Sequence, residues 1–192
     1  MYPLYEIGVP FIYMNAVGSQ RDVITMMHEG GHAVHSFLCR DLPMTEFKST
    51  PSEVAELASM SMELISMDHW DVFYADETEL NRAKLEQLEK VLEGLPWIAS
   101  IDKFQHWIYT NKHTAQERKE KWLEISAALG NQIIDWDGNE NVKASLWQRQ
   151  LHLYEVPFYY IEYGMAQLGA IAMWRSYKQL GKQGLDNYMD AL

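Results

Sequence analysis

A single cysteine, Cys39, leaves this 192-residue chain without an intrachain disulfide. The fold must therefore rest on packing and hydrogen bonds, and a reducing compartment is the natural setting. Basic charge is also scarce, with 16 Lys and Arg against 27 Asp and Glu and a formal net charge of −11. Neutralising phosphates takes a basic footprint, and no run of Lys and Arg supplies one, so the composition argues against nucleic-acid binding. No stretch approaches the roughly 20 apolar residues that cross a bilayer. The opening Met1-Tyr2-Pro3-Leu4-Tyr5-Glu6 lacks the basic start and apolar core of a signal peptide. The expectation is a soluble cytoplasmic protein with no membrane association.

What is present is a substantial apolar complement. The hydrophobic fraction is 47%, with 11 Met, 11 Tyr and 7 Trp, which favours a large buried interior or cleft. The length suits one domain, residues 1–192, with its own core. Residues 1–20 read as extended or irregular, because Pro3, Gly8, Pro10 and Gly18 break any periodicity. Val23, Ile24, Met27, Val34, Phe37 and Leu38 then mark a buried helix from about Asp22 to Cys39. Ser49, Thr50, Pro51 and Glu53 supply a helix start for a second helix running to about Asp68: capping hydroxyl, early proline, acid at the positive end.

Asp76 caps a third helix to Gly94, and Pro96 opens another reaching Asn111. Thr114 and Glu117 form a capping box for a helix ending at Gly130, and Asp135-Trp136-Asp137-Gly138-Asn139 is a turn. A helix from about Asn141 reaches His152, and Pro157 starts a long apolar one to about Lys178, after which Gly181 and Gly184 loosen the tail. There is no internal repeat, and no trustworthy alternating strand pattern appears beyond residue 20. The expected class is mainly α, with little or no sheet.

Within the first helix stands His28-Glu29-Gly30-Gly31-His32. Residues four apart share a helical face, so His28 and His32 can bind one metal ion together, with Glu29 off to the side and able to reach an activated water. This is the H-E-x-x-H zinc signature. A catalytic site needs one more protein ligand and an open position. The metzincin continuation fails, since it needs Gly at 35 and His at 38 where the chain has His35 and Leu38. The alternative is a carboxylate from the second helix, which offers Glu53, Glu56 and Glu63. Glu56 sits among small and apolar neighbours in Val54-Ala55-Glu56-Leu57-Ala58-Ser59, as on an inward face, whereas capping accounts for Glu53. Glu63, two turns on, is placed to hydrogen-bond a ligand histidine or to serve structurally. His35 reads as a core or supporting histidine, and His106 and His113 as structural or surface groups on the middle helices.

Asp22 to Ser36, the helix that carries the pentapeptide, resembles the active-site helix of the oligoendopeptidase F family of thimet-oligopeptidase-like zinc peptidases. Glu53-Val54-Ala55-Glu56-Leu57-Ala58-Ser59 is similar to that family's second metal helix. His152-Leu153-Tyr154-Glu155-Val156-Pro157-Phe158-Tyr159-Tyr160-Ile161-Glu162-Tyr163-Gly164 is similar to its His/Tyr-rich substrate segment. The resemblance implies a zincin-like helical catalytic domain, zinc on His28, His32 and Glu56, Glu29 as general base, and hydrolysis of peptide bonds in short oligopeptides. It also implies His152, Tyr160 and Tyr163 as candidates for stabilising the oxyanion, although Tyr159, Tyr160 and Tyr163 equally suit a packed aromatic stripe. Members of the family are usually longer, with an N-terminal helical lobe forming the other wall of a channel. The chain therefore corresponds to the catalytic portion, and surface left by a missing lobe would favour self-association.

Two other classes compete with a peptidase. A helical di-iron protein uses Glu-x-x-His twice, and Glu29-Gly30-Gly31-His32 is the chain's only instance. A zinc-binding helical domain without independent peptidase activity is the second, and nothing in the sequence removes it.

Overall fold

The computed structural model describes residues 1–192, save that the side chains of Ser52 and Glu53 lie outside the described residues. Two short antiparallel strands, β1 (Tyr2–Leu4) and β2 (Val9–Phe11), precede the helices α1 (Gln20–Leu38), α2 (Ser52–Ala55), α3 (Leu57–Ile65), α4 (Glu77–Thr110), α5 (Ala115–Leu129), α6 (Glu140–Lys143), α7 (His152–Glu155), α8 (Ile161–Leu180) and α9 (Lys182–Asp190). Tyr2 pairs with Phe11 and Leu4 with Val9. Among the described residues this hairpin is the whole of the sheet, and the protein is mainly α. The chain divides into two compact units, residues 1–90 with 165–192, and residues 91–164.

In the first unit α1 packs on α3. Asp22 starts α1 by accepting the backbone N–H of Ser19 at 2.7 Å and that of Val17 at 3.0 Å, which satisfies donors that a helix start otherwise leaves exposed. The two helices meet at Gly31: a β-carbon there would stand 2.5 Å from the carbonyl oxygen of Ala58 and 2.6 Å from Cα of Ser59. The same carbonyl of Ala58 accepts the hydroxyl of Tyr188, from α9, at 2.8 Å. Ala58, Leu64, Ile65, Met67, Trp70 and Tyr188 are all buried in this unit.

In the second unit Ile101 and Phe104 of α4, Trp122 and Ile125 of α5, and Trp147 and Leu153 form one buried cluster. Trp122 meets Trp97 edge-on at 5.5 Å and Phe104 at 5.4 Å, arrangements that aromatic quadrupoles favour. Its indole N–H donates to the carbonyl of Lys143 at 2.9 Å. The capping box of Thr114 and Glu117 is formed, with the Thr114 hydroxyl accepting the backbone N–H of Glu117 at 3.2 Å.

Several expected boundaries are corrected. The second helix is not continuous to Asp68: it is interrupted by a turn at Glu56 (φ −97°, ψ 0°), between α2 and α3. Pro51 takes the position before α2, and the dipole role expected of Glu53 lies outside the described residues. Asp76 does cap α4, its carboxylate accepting the N–H of Glu79 at 2.9 Å. The helix then continues through Pro96. Proline frees the carbonyl four residues back, here that of the exposed Leu92, where water can serve it. The expected helix from Asn141 to His152 is broken into α6, a 3₁₀ turn at Leu146–Arg149 and α7, because burial of Trp147 outweighs local propensity. The last long helix starts at Ile161 rather than at Pro157. Gly184 does not loosen the tail, since a β-carbon there would stand 2.5 Å from Cα of Tyr177. His113 lies between α4 and α5 rather than on a helix, its Nε2 2.9 Å from the carbonyl oxygen of Ile108.

The two glycines of the motif should therefore respond oppositely to alanine. Gly30 has nothing within 4 Å of its would-be β-carbon, so Gly30→Ala is expected to stabilise the helix by about 0.5–1 kcal/mol. Gly31→Ala forces two backbones apart and should cost about 1–3 kcal/mol. Urea unfolding of both variants checks the pair, and equal midpoints would contradict the close approach.

Candidate metal centre

Helical spacing puts His28 and His32 on one face of α1, with ring centroids 5.0 Å apart and nearly perpendicular planes. Glu56, at the turn before α3, faces both. Its Oε2 lies 3.3 Å from Nε2 of His28 and 3.4 Å from Nε2 of His32. The three side chains offer ligand atoms that all lie within 4.8 Å of one another, and each is part-buried. Ligands about 2.0–2.1 Å from a tetrahedral zinc stand roughly 3.3–3.4 Å apart along each edge, so the spacing of Glu56 from the two imidazoles suits that ion. Two nitrogens and a carboxylate also match the donor preference of zinc. Ser59 steadies the carboxylate: its hydroxyl lies 3.0 Å from Glu56 Oε2 and 2.9 Å from the Glu56 backbone carbonyl.

Behind His28 the imidazole Nδ1 faces Glu63 Oε1 at 2.7 Å. The sequence offered Glu63 either this contact or a merely structural one, and the structure makes the contact. The other oxygen of Glu63 accepts the side-chain N–H of Gln87, from α4, at 2.7 Å. Gln87 is 2% exposed, and its amide oxygen has no hydrogen-bond partner among the described residues. An orphaned buried carbonyl costs about 1–3 kcal/mol, set against the N–H that Gln87 gives to Glu63. Gln87 escaped sequence reading because a lone glutamine on a largely polar helix carries no spacing signal.

Burial opposes a charge on His28, but the hydrogen bonds and charges of Glu56 and Glu63 prevail and raise its imidazole from 6.5 to about 9. Burial likewise opposes the charge on Glu56, and the two histidines overcome it, holding the carboxyl well below the usual carboxylate range. His35 is not part of the cluster among the described residues. It lines a cavity of about 190 Å³ with Cys39, Phe47, Val54 and Leu57, and burial, then the neighbouring His32, lowers its imidazole. Glu29 is not among the clustered ligand atoms, and its carboxylate meets the N-terminal ammonium of Met1.

In the second unit the structure brings His152, Tyr160 and Tyr163 together. The His152 ring centroid lies 4.9 Å from that of Tyr160 and 5.5 Å from that of Tyr163, and Tyr159 stacks nearly parallel at 6.3 Å. His152 Nε2 is 3.2 Å from the Tyr163 hydroxyl. Burial raises the Tyr160 hydroxyl, against the pull of Trp97 and Arg149. Gln150 and Trp97, which sequence reading missed, complete this cluster: Gln150 Nε2 is 2.6 Å from His152 Nδ1, and the Trp97 indole N–H meets Gln150 Oε1 at 3.2 Å. His106 is exposed, 3.6 Å from Asp102 on its own helix, consistent with a surface role.

The sequence profile of Peptidase family M3 matches residues 2–192. Oligopeptidase PepF of Bacillus subtilis (strain 168) is 25% identical over 189 residues, covering 95% of this chain and 28% of that protein. An oligoendopeptidase F homolog of Borreliella burgdorferi is 23% identical over 192 residues, covering 96% of this chain and 32% of that protein. The solved structure of PZ peptidase A with inhibitor 2 superposes with a TM-score of 0.88 at 29% identity, over 98% of this chain and 34% of that one. The chain thus spans about a third of the length of these relatives.

Two outcomes follow from the site. Glu63→Gln should weaken zinc binding about 10–100-fold, as loss of a ligand-orienting carboxylate does; competition titration with a chromophoric chelator measures it, and unchanged affinity would remove Glu63 from the site. Without metal, the raised His28 imidazole contributes stability that is complete below its ordinary value near 6.5 and is lost as pH climbs through about 9. The urea midpoint of the metal-free chain should therefore exceed that of His28→Gln by a margin that shrinks across this interval, and a constant margin would contradict the contacts.

Proposed function

We propose, because the chain belongs to Peptidase family M3, that its metal centre holds zinc and serves hydrolysis of peptide bonds in short oligopeptides. The observation that carries this reading is the convergence of His28, His32 and Glu56 from two helices, with Glu63 set behind His28. Zinc held there would polarise the scissile carbonyl and acidify a water molecule towards a pKa of about 7. His28 and His32 would hold the ion through Nε2 and Glu56 through a carboxylate oxygen, while Glu63 keeps the His28 proton on Nδ1. Glu29, adjacent in sequence but outside the ligand cluster, takes the proton of the attacking water on its carboxylate and passes it to the leaving amine. His152, Tyr160 and Tyr163 are the N–H and O–H donors we assign to the oxyanion. A cytoplasmic location remains part of the proposal; among the described residues no helix is long and apolar enough to cross a membrane.

A second reading is favoured by one observation, the chain's coverage of 28% and 32% of its curated relatives. In that reading residues 1–192 bind zinc but do not cleave peptides alone. The hairpin region exposes Ile7, Tyr13 and Val17, at 67%, 75% and 80%, and such apolar surface suits a further lobe or a second copy.

Cleavage of a quenched short peptide by the zinc-loaded chain, with and without chelator, separates the two readings. Chelator-sensitive turnover is expected, and Glu29→Gln should abolish it while retaining zinc. Zinc binding without turnover supports the second reading, unaltered turnover in Glu29→Gln removes Glu29 from the mechanism, and a wild-type chain that takes up no zinc overturns the metal centre.

A further inference from the structure

A neutral imidazole carries its proton on one ring nitrogen only, and that choice decides where it can donate. For His152 the neighbours make the choice. The indole N–H of Trp97 can only donate, so the Gln150 atom facing it at 3.2 Å is the amide oxygen. The amide nitrogen then faces His152 Nδ1 at 2.6 Å, and it too can only donate. Nδ1 is therefore the acceptor, and the ring proton resides on Nε2, which lies 3.2 Å from the Tyr163 hydroxyl oxygen. Turning the amide over would set its NH₂ group against the indole N–H, donor against donor, which disfavours the reverse polarity.

We propose that Gln150, held by Trp97, is a positioning residue that locks His152 in the Nε2–H tautomer, so that the ring presents a neutral N–H to the developing oxyanion. This deepens the peptidase reading and rests on it for the role of His152. The three tyrosine rings around His152 fix the plane of the imidazole, at 4.9 to 6.3 Å between centroids. They leave open which nitrogen carries the proton, since a ring turned over occupies the same plane. The polar chain from Trp97 through Gln150 removes that freedom. Glutamine is suited to the task where a carboxylate is not: a glutamate at position 150 would accept from Nδ1–H and reverse the polarity. Donation from a fixed neutral N–H requires no reorganisation as charge develops.

The test is the tautomer itself, read by long-range ¹H–¹⁵N correlation on the ¹⁵N-histidine-labelled chain in mildly alkaline buffer. Wild type is expected to show His152 with a protonated Nε2 and a bare Nδ1. Gln150→Glu should move a proton to Nδ1, and Gln150→Leu and Trp97→Phe should give mixed tautomers; the leucine variant decides the matter where the glutamate variant fails to fold. A proton on Nδ1 in wild type, or an unchanged signature in both Gln150 variants, overturns the proposal. In peptide cleavage, Gln150→Glu should lower kcat at least about tenfold, as a wrong tautomer does, with KM and zinc content little changed; a rise in KM with kcat intact overturns the positioning role. Should wild type cleave nothing, the peptidase reading fails while the tautomer spectrum still decides what Gln150 does.

Discussion

The contact on which the cluster of His28, His32 and Glu56 depends is the approach of two helix backbones at Gly31. With no β-carbon, α1 settles against Ala58 and Ser59 at a separation that any larger residue would prevent. Glu56 stands two residues before Ala58, so this packing distance also sets the distance from its carboxylate to His28 and His32. Tyr188 anchors the same carbonyl of Ala58 through its hydroxyl. Zinc geometry tolerates errors of a few tenths of an ångström, and close-packed backbone holds such a tolerance better than long flexible side chains would.

Both polar clusters use a neutral amide to orient a titratable group. Gln87 holds Glu63, which fixes His28, and Gln150 faces His152 directly. A lysine or arginine in place of Gln87 would neutralise Glu63 and weaken its pull on the imidazole N–H. A glutamine binds the oxygen without that competition, although its own buried carbonyl has no hydrogen-bond partner among the described residues.

Much of this was legible in one dimension. The capping box at Thr114, the cap at Asp76 and the turn around Gly138 are local devices whose hydrogen bonds close within a few residues, so residue type and spacing predict them. His28 and His32 are likewise a local pair. Pro96 misled because its cost depends on what surrounds the freed carbonyl, and the segment from Glu140 to Glu155 misled because a buried tryptophan overrides helical propensity there.

By itself the sequence determined the mainly helical class, the pairing of His28 and His32 on one helical face and Glu56 as the carboxylate to seek beside them, because helical periodicity and motif spacing are properties of neighbours along the chain. How closely Glu56 approaches the two imidazoles, that Gln87 stands behind Glu63, and why the second motif glycine differs from the first were decided only in the tertiary structure. Those outcomes turn on contacts between residues 24 to 130 positions apart. No pattern within a single helix encodes such distances.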